Sequence, residues 1–393
     1  MTTCRIADIA KVIRGVSWDK SEASDAARDG YLPILRAGSI GDVLNIADDL
    51  VWVPSSNVSD VQRIRAGDIA ICMSSGSASV VGKTAAAKTD WPGSVGAFCA
   101  LLRSDANKCL PEYLGFYLKS TTFRRWTSEA QGANIKNIRK SALEDFSIPL
   151  PPLPEQHRIV DFLSRAEGIV RLRREAEKKA AELISALFLD MFGDPAMNPK
   201  GWDIKPLHAV AEVGSGNGFP NAYQGKTDAT YPFYKVSDMN TEGNEVEMTV
   251  ANNYITEDDL AALRAKVFPA GTVIFPKIGA AIATNKKRVL TRPSCFDNNV
   301  MGITPGNGLM PSFLHALMFS KNISDFASDS NPPSMRKTTV EAWEIPVPPL
   351  DLQAEFGRQL EAIRSIQSQQ SAASTKAQAT FDALLAQTFY DRG

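Results

Sequence analysis

Two stretches of the chain combine cations with side-chain amides on turn-like backbone. Between Asp259 and Asp297 stand Arg264, Lys266, Lys277, Lys286, Lys287, Arg288 and Arg292 with no intervening acid, accompanied by Thr284 and Asn285. From Lys119 to Lys140 stand Lys119, Arg124, Arg125, Lys136, Arg139 and Lys140 against one acid, Glu129, together with Gln131, Asn134 and Asn137. Lysine and arginine neutralise phosphates, and Arg, Lys, Asn and Gln can reach base edges with defined donor and acceptor patterns. The chemistry on offer is nucleic-acid contact, in which phosphate and sugar contacts outnumber contacts to bases. Ser75 and Lys83 follow one β-like run, Gly67–Ile71, and Lys277 and Thr284 follow another, Gly271–Phe275, and their equivalent placement suggests one shared nucleic-acid-facing edge. A solvated loop or a structural turn is the alternative for each of these residues.

Catalytic chemistry finds less support. Ser77–Thr84 resembles a phosphate-binding loop, but the glycine required at position 77 is displaced to Gly76. Asn331-Pro332-Pro333-Ser334 has the outline of the motif that holds a flipped adenine, yet Ser334 stands where a stacking aromatic is needed. No glycine-rich turn for a methyl donor precedes it, so a loop matching Gln131–Asn137 is the better reading. Gly214-Ser215-Gly216-Asn217-Gly218 reads as a turn. His157, His208 and His315 are far apart and have no metal-ligand spacing; His157 is expected to cap a helix or face solvent. The five cysteines, Cys4, Cys72, Cys99, Cys109 and Cys295, form no C-x-x-C pair and read as reduced thiols.

These residues need elements to carry them, and the chain repeats itself. Ile148-Pro149-Leu150-Pro151-Pro152-Leu153-Pro154-Glu155-Gln156 reappears as Ile345-Pro346-Val347-Pro348-Pro349-Leu350-Asp351-Leu352-Gln353. Ile138-Arg139-Lys140 corresponds to Met335-Arg336-Lys337, Gly15 to Gly216, and Gly67–Ile71 to Gly271–Phe275. Each half, residues 1–150 and 200–347, mixes short β-like runs with turn residues and occasional helical patterns such as Pro111–Lys119 and Pro311–Phe319, which defines an α+β domain. The proline strings read as stiff, extended exits, because proline lacks a donor and restricts its predecessor.

A long helix is expected after each string, in residues 151–199 and 348–393. Within Glu155–Met191, Ile159, Phe162, Ala166, Ile169, Ala176, Ala180, Leu183 and Leu187 follow the spacing of a coiled-coil seam. Phe356, Leu360, Ile363, Ala377, Phe381 and Leu384 form a comparable stripe with a more polar middle. An antiparallel intramolecular pair is the simplest way to bury both. The fold expected is two globular α+β domains and two long antiparallel coiled-coil helices in a pseudo-twofold repeat.

Composition bounds the class. Hydrophobic residues at 44% and charged residues at 22%, with no apolar run near the ~20 residues of a membrane span, describe a globular chain without membrane association. Residues 1–20 show no export-signal pattern, so a cytoplasmic setting is expected. The net charge of −1 offers no overall basic field, and any nucleic-acid signal is local.

The segments Pro149–Val160, Met191–Leu207 and Ala270–Asn285, taken with the duplicated architecture, resemble the specificity subunits of type I restriction-modification systems. The resemblance spans nearly the whole chain. It implies two target recognition domains held apart by two helices that also dock methyltransferase subunits, with restriction subunits as further partners. Double-stranded DNA would be read as a bipartite, asymmetric site by a non-catalytic chain. No cofactor is expected on this chain; S-adenosylmethionine, ATP and magnesium would sit on the partner subunits. The DNA-contact candidates are Ser75, Lys83, Arg124, Arg125, Gln131, Asn134, Lys136 and Asn137 in the first half. In the second they are Lys277, Thr284, Asn285, Lys286, Lys287, Arg288, Arg336 and Lys337. Two rivals stand beside this reading, a self-contained adenine methyltransferase and a coiled-coil scaffold without a DNA role.

Overall fold

The computed structural model describes residues 2–77, 79–129 and 137–390. The first half runs β1 (Thr3–Arg5), α1 (Ile6–Ile9), β2 (Ala10–Arg14), β3 (Tyr31–Leu35), β4 (Val51–Pro54), β5 (Ile69–Cys72), β6 (Thr84–Ala86), β7 (Ser94–Val95) and β8 (Cys99–Ser104). Then come α2 (Pro111–Lys119), α3 (Thr121–Glu129), α4 (Lys140–Asp145), β9 (Ser147–Pro149) and the long helix α5 (Leu153–Phe192). The second half runs β10 (Asp203–Pro206), β11 (Ala211–Ser215), β12 (Tyr231–Tyr234), β13 (Glu247–Met248), β14 (Tyr254–Ile255), α6 (Glu257–Leu263), β15 (Val273–Pro276), β16 (Arg288–Leu290), β17 (Cys295–Phe296) and β18 (Val300–Pro305). It closes with α7 (Pro311–Ser320), α8 (Lys337–Glu341), β19 (Glu344–Val347) and the long helix α9 (Leu350–Tyr390).

The strand pairing repeats. Sheet β2-β8-β5-β6 answers to β11-β18-β15-β16-β13, sheet β4-β3-β7 to β14-β12-β17, and the two-stranded β1-β9 to β10-β19. In both halves the central hairpin partners are antiparallel, whereas β3 with β7 and β12 with β17 are parallel. Gly15 and Gly216 occupy the same place: a Cβ on either would lie 2.1 Å from a carbonyl oxygen, of Gly96 and Phe296 respectively, so only glycine lets these segments pass. The cluster Gly214–Gly218 is therefore a strand end rather than a free turn.

By contacts the chain forms two compact units, Met1–Glu175 with Ser371–Gly393, and Ala176–Gln370. In the first, Ile6, Ile69, Leu102, Tyr113 and Tyr117 share a core with Ile159, Leu163 and Val170 of α5 and Phe381, Leu385 and Phe389 of α9. Phe389 sits edge-on to Tyr113 and Tyr117 at 5.7 and 5.1 Å. In the second, Val273, Ile303, Phe313 and Leu317 pack with Phe188 and Phe192 of α5 and Phe356 and Leu360 of α9. There Gln367 donates to the Ala180 carbonyl at 2.8 Å while Phe356 lies against Phe188 and Phe192, so the two helical segments run antiparallel.

Two expectations are corrected here. The proline strings are not wholly extended: β9 and β19 use their first residues, and Pro154 enters the first turn of α5, where its missing N–H costs no helical bond. The buried face of α5 also follows the expected seam only in part: Ile159 and Ala180 are buried, and Ala166 and Leu187 pack against the cores. Leu163, Val170 and Phe188 are buried, whereas Phe162, Ile169 and Leu183 are 52%, 55% and 49% exposed. Helix α5 carries adjacent apolar stripes, and the cores of the two units cover parts of both.

The glutamine retained in both proline strings fixes each helix to its unit. Gln156 is fully buried; its Oε1 accepts from Leu110 N at 2.9 Å and its Nε2 donates to Lys108 O at 3.0 Å and Pro151 O at 2.8 Å. Gln353 repeats the pattern with Met310 N at 2.8 Å, Gly308 O at 2.9 Å and Pro348 O at 2.8 Å.

Candidate nucleic-acid interface

In each unit the loop after a central strand is tied to a segment far along the chain. Beyond β5, Met73 N and Ser74 N donate to Phe98 O at 2.8 and 3.0 Å, Ile138 N donates to Met73 O at 2.8 Å, and Ser74 bridges to Asn137. Beyond β15, Lys277 N donates to Asn299 O at 2.9 Å, Met335 N donates to Lys277 O at 2.9 Å, and Ile278 bridges to Ser334. The same edge is built twice from different residues. Ser334 is thus the counterpart of Asn137, and next to it Gly279 N is bonded to Pro333 O at 2.8 Å.

In the first unit this edge carries Ser75, half-buried and accepting from Ser77 N at 3.2 Å, the exposed Lys83, and the exposed Asn137. Lys83 leads directly into strand β6, so no helix N-terminus follows the Ser77–Thr84 string and it cannot cradle a phosphate in that manner. Gly82, at φ +83°, lies so close to Thr127 of α3 that a Cβ there would come within 2.9 Å of its side chain. Helix α3 buries Phe123 and Thr127 and leaves Arg124 and Arg125 in solvent beside this loop. Gln131, Asn134 and Lys136 lie outside the described residues.

The second unit divides its candidates. The Lys277 ammonium donates to Ser215 Oγ at 3.1 Å; burial pulls its pKa down, and nearby Asp297 opposes that shift. Thr284 is exposed, its hydroxyl turned onto Ala281 O at 2.6 Å. Asn285 ends a 3-10 turn in the left-handed conformation and accepts from Ile323 N at 3.0 Å, so its amide already serves the fold. Lys286 is half-buried and bonded to the Asn240 side chain. Arg336 is exposed, and Lys337 pairs with Glu341 at 3.4 Å.

Lys287 and Arg288 depart from the sequence expectation. Lys287 is 3% exposed, its ammonium donating to Lys321 O at 2.8 Å and lying 5.6 Å from the centre of the Phe319 ring. Desolvation lowers its pKa to about 8. The Arg288 guanidinium donates to Lys287 O at 2.8 Å and Met239 O at 3.0 Å, and burial lowers its pKa too, against a weaker pull from Glu245. Both cations are turned onto backbone carbonyls of the fold, Lys287 onto the residue that follows α7 and Arg288 onto Met239 and the preceding residue. Elsewhere in the basic stretch, Lys266 pairs with Glu212 and Arg292 donates to Tyr254 OH at 2.7 Å. The local charge excess read from sequence is therefore largely spent on the fold.

Sequence reasoning passed over Ser215, Asn240 and Asn299, which the fold brings to the second edge, and Phe98, 70% exposed at the turn matching Asn299. Ser215 lies in the glycine cluster read as a turn, and Asn240, Asn299 and Phe98 lie in no charged or glycine-rich run. Among the described residues no helix is long and apolar enough to cross a membrane, and no group of three His, Cys, Asp or Glu side chains could hold a metal.

Two copies of one α+β module, each presenting a loop edge and each continued by a long helix, define a duplicated recognition protein. Residues 1–182 and 199–374 both match the type I restriction modification DNA specificity domain, and the chain belongs to that family. It is similar to the type I restriction enzyme StySPI specificity subunit of Salmonella potsdam, 28% identical over 98% of this chain and 88% of that one. The EcoKI specificity subunit of Escherichia coli K12 is 38% identical over 52% of this chain and 45% of its own length. Among solved structures, a chain described under complex assembly and conformational transition of the type I restriction-modification system aligns over 98% of this chain and 96% of its own, with a TM-score of 0.59 at 18% identity. The S subunit of a type I restriction-modification system from M. genitalium aligns over 99% and 96%, with a TM-score of 0.53 at 16% identity. The chain is a DNA-specificity component rather than a catalytic one, as its named relatives are.

Proposed function

We propose that this chain reads a bipartite, asymmetric site on double-stranded DNA and places methyltransferase subunits, and restriction subunits where present, upon it. The recognition domains are residues 1–150 and 200–347, and the helical regions 151–199 and 348–393 act as a coiled-coil spacer and docking surface. One observation carries the reading: matching backbone pairing at the loop edge presents different side chains, Ser74–Lys83 with Asn137 in one unit and Lys277–Lys286 with Ser334 in the other. Equal frames with unequal side chains suit two unequal half-sites. Ser75, Lys83, Arg124, Arg125, Gln131, Asn134, Lys136 and Asn137 serve the first. Lys277, Thr284, Lys286, Arg336 and Lys337 serve the second, with Asn285, Lys287 and Arg288 supporting the loop.

Forty residues of α5 span about 60 Å at ~1.5 Å per residue, more than the ~34 Å of one DNA turn, which suits half-sites separated along one face of a duplex. The uncovered Phe162, Ile169 and Leu172 of α5 supply apolar surface for a partner subunit. S-adenosylmethionine, ATP and magnesium belong to the partners, and the assembly works in the cytoplasm. Replacing residues 1–150 with the corresponding domain of another family member tests the reading. The methylated motif should change in one half and keep the other; a change in both halves, or in neither, contradicts it.

A further inference from the structure

Two thiols distant in sequence meet across strands of the first unit. In the antiparallel register of β5 and β8, Cys72 stands directly opposite Cys99. Cys72 sends its N–H to Lys83 O at 3.0 Å and receives Gly82 N on its carbonyl at 2.9 Å, both on the β6 side. Cys99 donates its N–H to Gly96 O at 2.8 Å and accepts from Gly15 N at 3.0 Å. The bond between β5 and β8 falls at the next position, Met73 N to Phe98 O at 2.8 Å. Cys72 and Cys99 are therefore a non-hydrogen-bonded pair, the class with the closer Cα separation of about 4.5 Å. That lies within the ~4.4–6.8 Å that a disulfide bridges. Both side chains point to one face, sharing a core with Ala70, Ala85 and Leu101.

We propose that Cys72 and Cys99 are a reversible oxidation site, at which a two-electron oxidant of the peroxide class forms a cross-strand disulfide stapling β5 to β8 beneath the Ser74–Lys83 loop. Cys72 attacks the peroxide as its thiolate, giving a sulfenic acid and releasing one water; Cys99 then displaces the hydroxyl, forming the S–S bond and releasing a second water. The peroxide gains the two electrons that the thiols lose. Cys72 ends β5, its sulfur 3.4 Å from Ser74 O and close in sequence to the exposed Gly76 and Ser77, which makes it the attacking thiol and Cys99 the resolving one. In the same sense the hydrogen bond from Cys99 lowers the pKa of Cys72, and that bond with burial raises that of Cys99. Burial pushes Cys109 and Cys295 up to about 12, so neither competes as a thiolate. The pair is buried, but Cys72 is the last residue of β5 and its sulfur lies 3.4 Å from Ser74 O, so fraying of the β5 end admits the oxidant. The second unit lacks the pair, with Pro276 opposite Val300 in the matching register. The staple is confined to the first module, and any effect on DNA reading rests on the function proposed above.

The test treats the full chain with hydrogen peroxide under native conditions, then denatures it, alkylates free thiols and maps the peptides. Alkylatable thiols should fall from the five of the sequence to three, with a Cys72–Cys99 linked peptide that dithiothreitol abolishes. Both Cys99→Ala and Cys99→Ser should lose that peptide. Recovery of alkylated Cys72 and Cys99 at peroxide exposures that oxidise the half-exposed Cys4, or a Cys4–Cys109 linkage in their place, overturns the proposal. This readout needs no DNA, so the oxidation site and the DNA-reading account fail separately.

Discussion

Replacing Gln156 with alanine tests how each long helix is fixed to its unit. The substitution removes three hydrogen bonds, at 2.9, 3.0 and 2.8 Å, from a side chain with no solvent exposure. It leaves one N–H and two carbonyls without their partner at the junction of α2 and α5. Each such bond contributes about 1 kcal/mol net, and a buried donor left unpaired costs about 1–3 kcal/mol, so the expected loss is about 2–4 kcal/mol. A unit of this size shifts its melting temperature by about 2–4 °C per kcal/mol, which places the change at about 5–15 °C. Differential scanning calorimetry of the full chain measures it. Gln353→Ala should produce a comparable loss in the transition of the second unit. Gln156→Glu should cost at least as much near neutral pH, because a carboxylate would face the carbonyls of Lys108 and Pro151. A Gln156→Ala protein within about 0.5 kcal/mol of the parent would show that this glutamine does not hold the junction.

Lys286→Ala and Arg336→Ala should each weaken DNA binding and reduce the dependence of log affinity on log salt by about one phosphate contact, whereas Lys287→Met should leave that slope unchanged; anisotropy titrations across salt concentrations decide. Lys287→Met should instead flatten a pH dependence. Below pH 8 both folded and unfolded chains hold the proton and the burial penalty is complete. From about 8 up to 10.5 only the unfolded chain keeps it, so the parent gains stability with rising pH, by up to about 3 kcal/mol. Urea denaturation at pH 7.5 and 10 of parent and variant measures the difference, and parallel profiles would contradict the assignment. Inserting one full helical repeat into both α5 and α9 should lengthen the unread gap of the DNA site and leave both half-sites unchanged, as read by methylation mapping; an unaltered gap would sink the spacer account.

The repeat was legible in the sequence because its constraints are local. Proline strings, Gly15 with Gly216, and the glycine-led runs before β5 and β15 mark backbone that few other residues can form. Helices α2 and α7 were legible from a proline start and apolar spacing. The edges themselves were less so. Lys286 and Lys287 look equivalent in sequence, and only the fold brings Lys321 O and the Phe319 ring to Lys287 and the Asn240 side chain to Lys286. The seam of α5 is legible only in part for a related reason: apolar stripes lie side by side on one helix, and which residues of each are covered depends on cores formed by distant strands. Gln156 and Gln353 stood in the sequence as the one polar side chain repeated at the end of both proline strings, a signal that the repeat alone could have raised. Cys72 and Cys99 carry no spacing rule, since sheet register brings them together.

The central claim is that this chain confers DNA sequence specificity. It is tested most directly by mapping methylated bases in a host that carries this gene with its methyltransferase partner, against the same host lacking only this gene. The account predicts a split, asymmetric methylated motif that disappears with the gene. Persistence of the same motif without it would contradict the account.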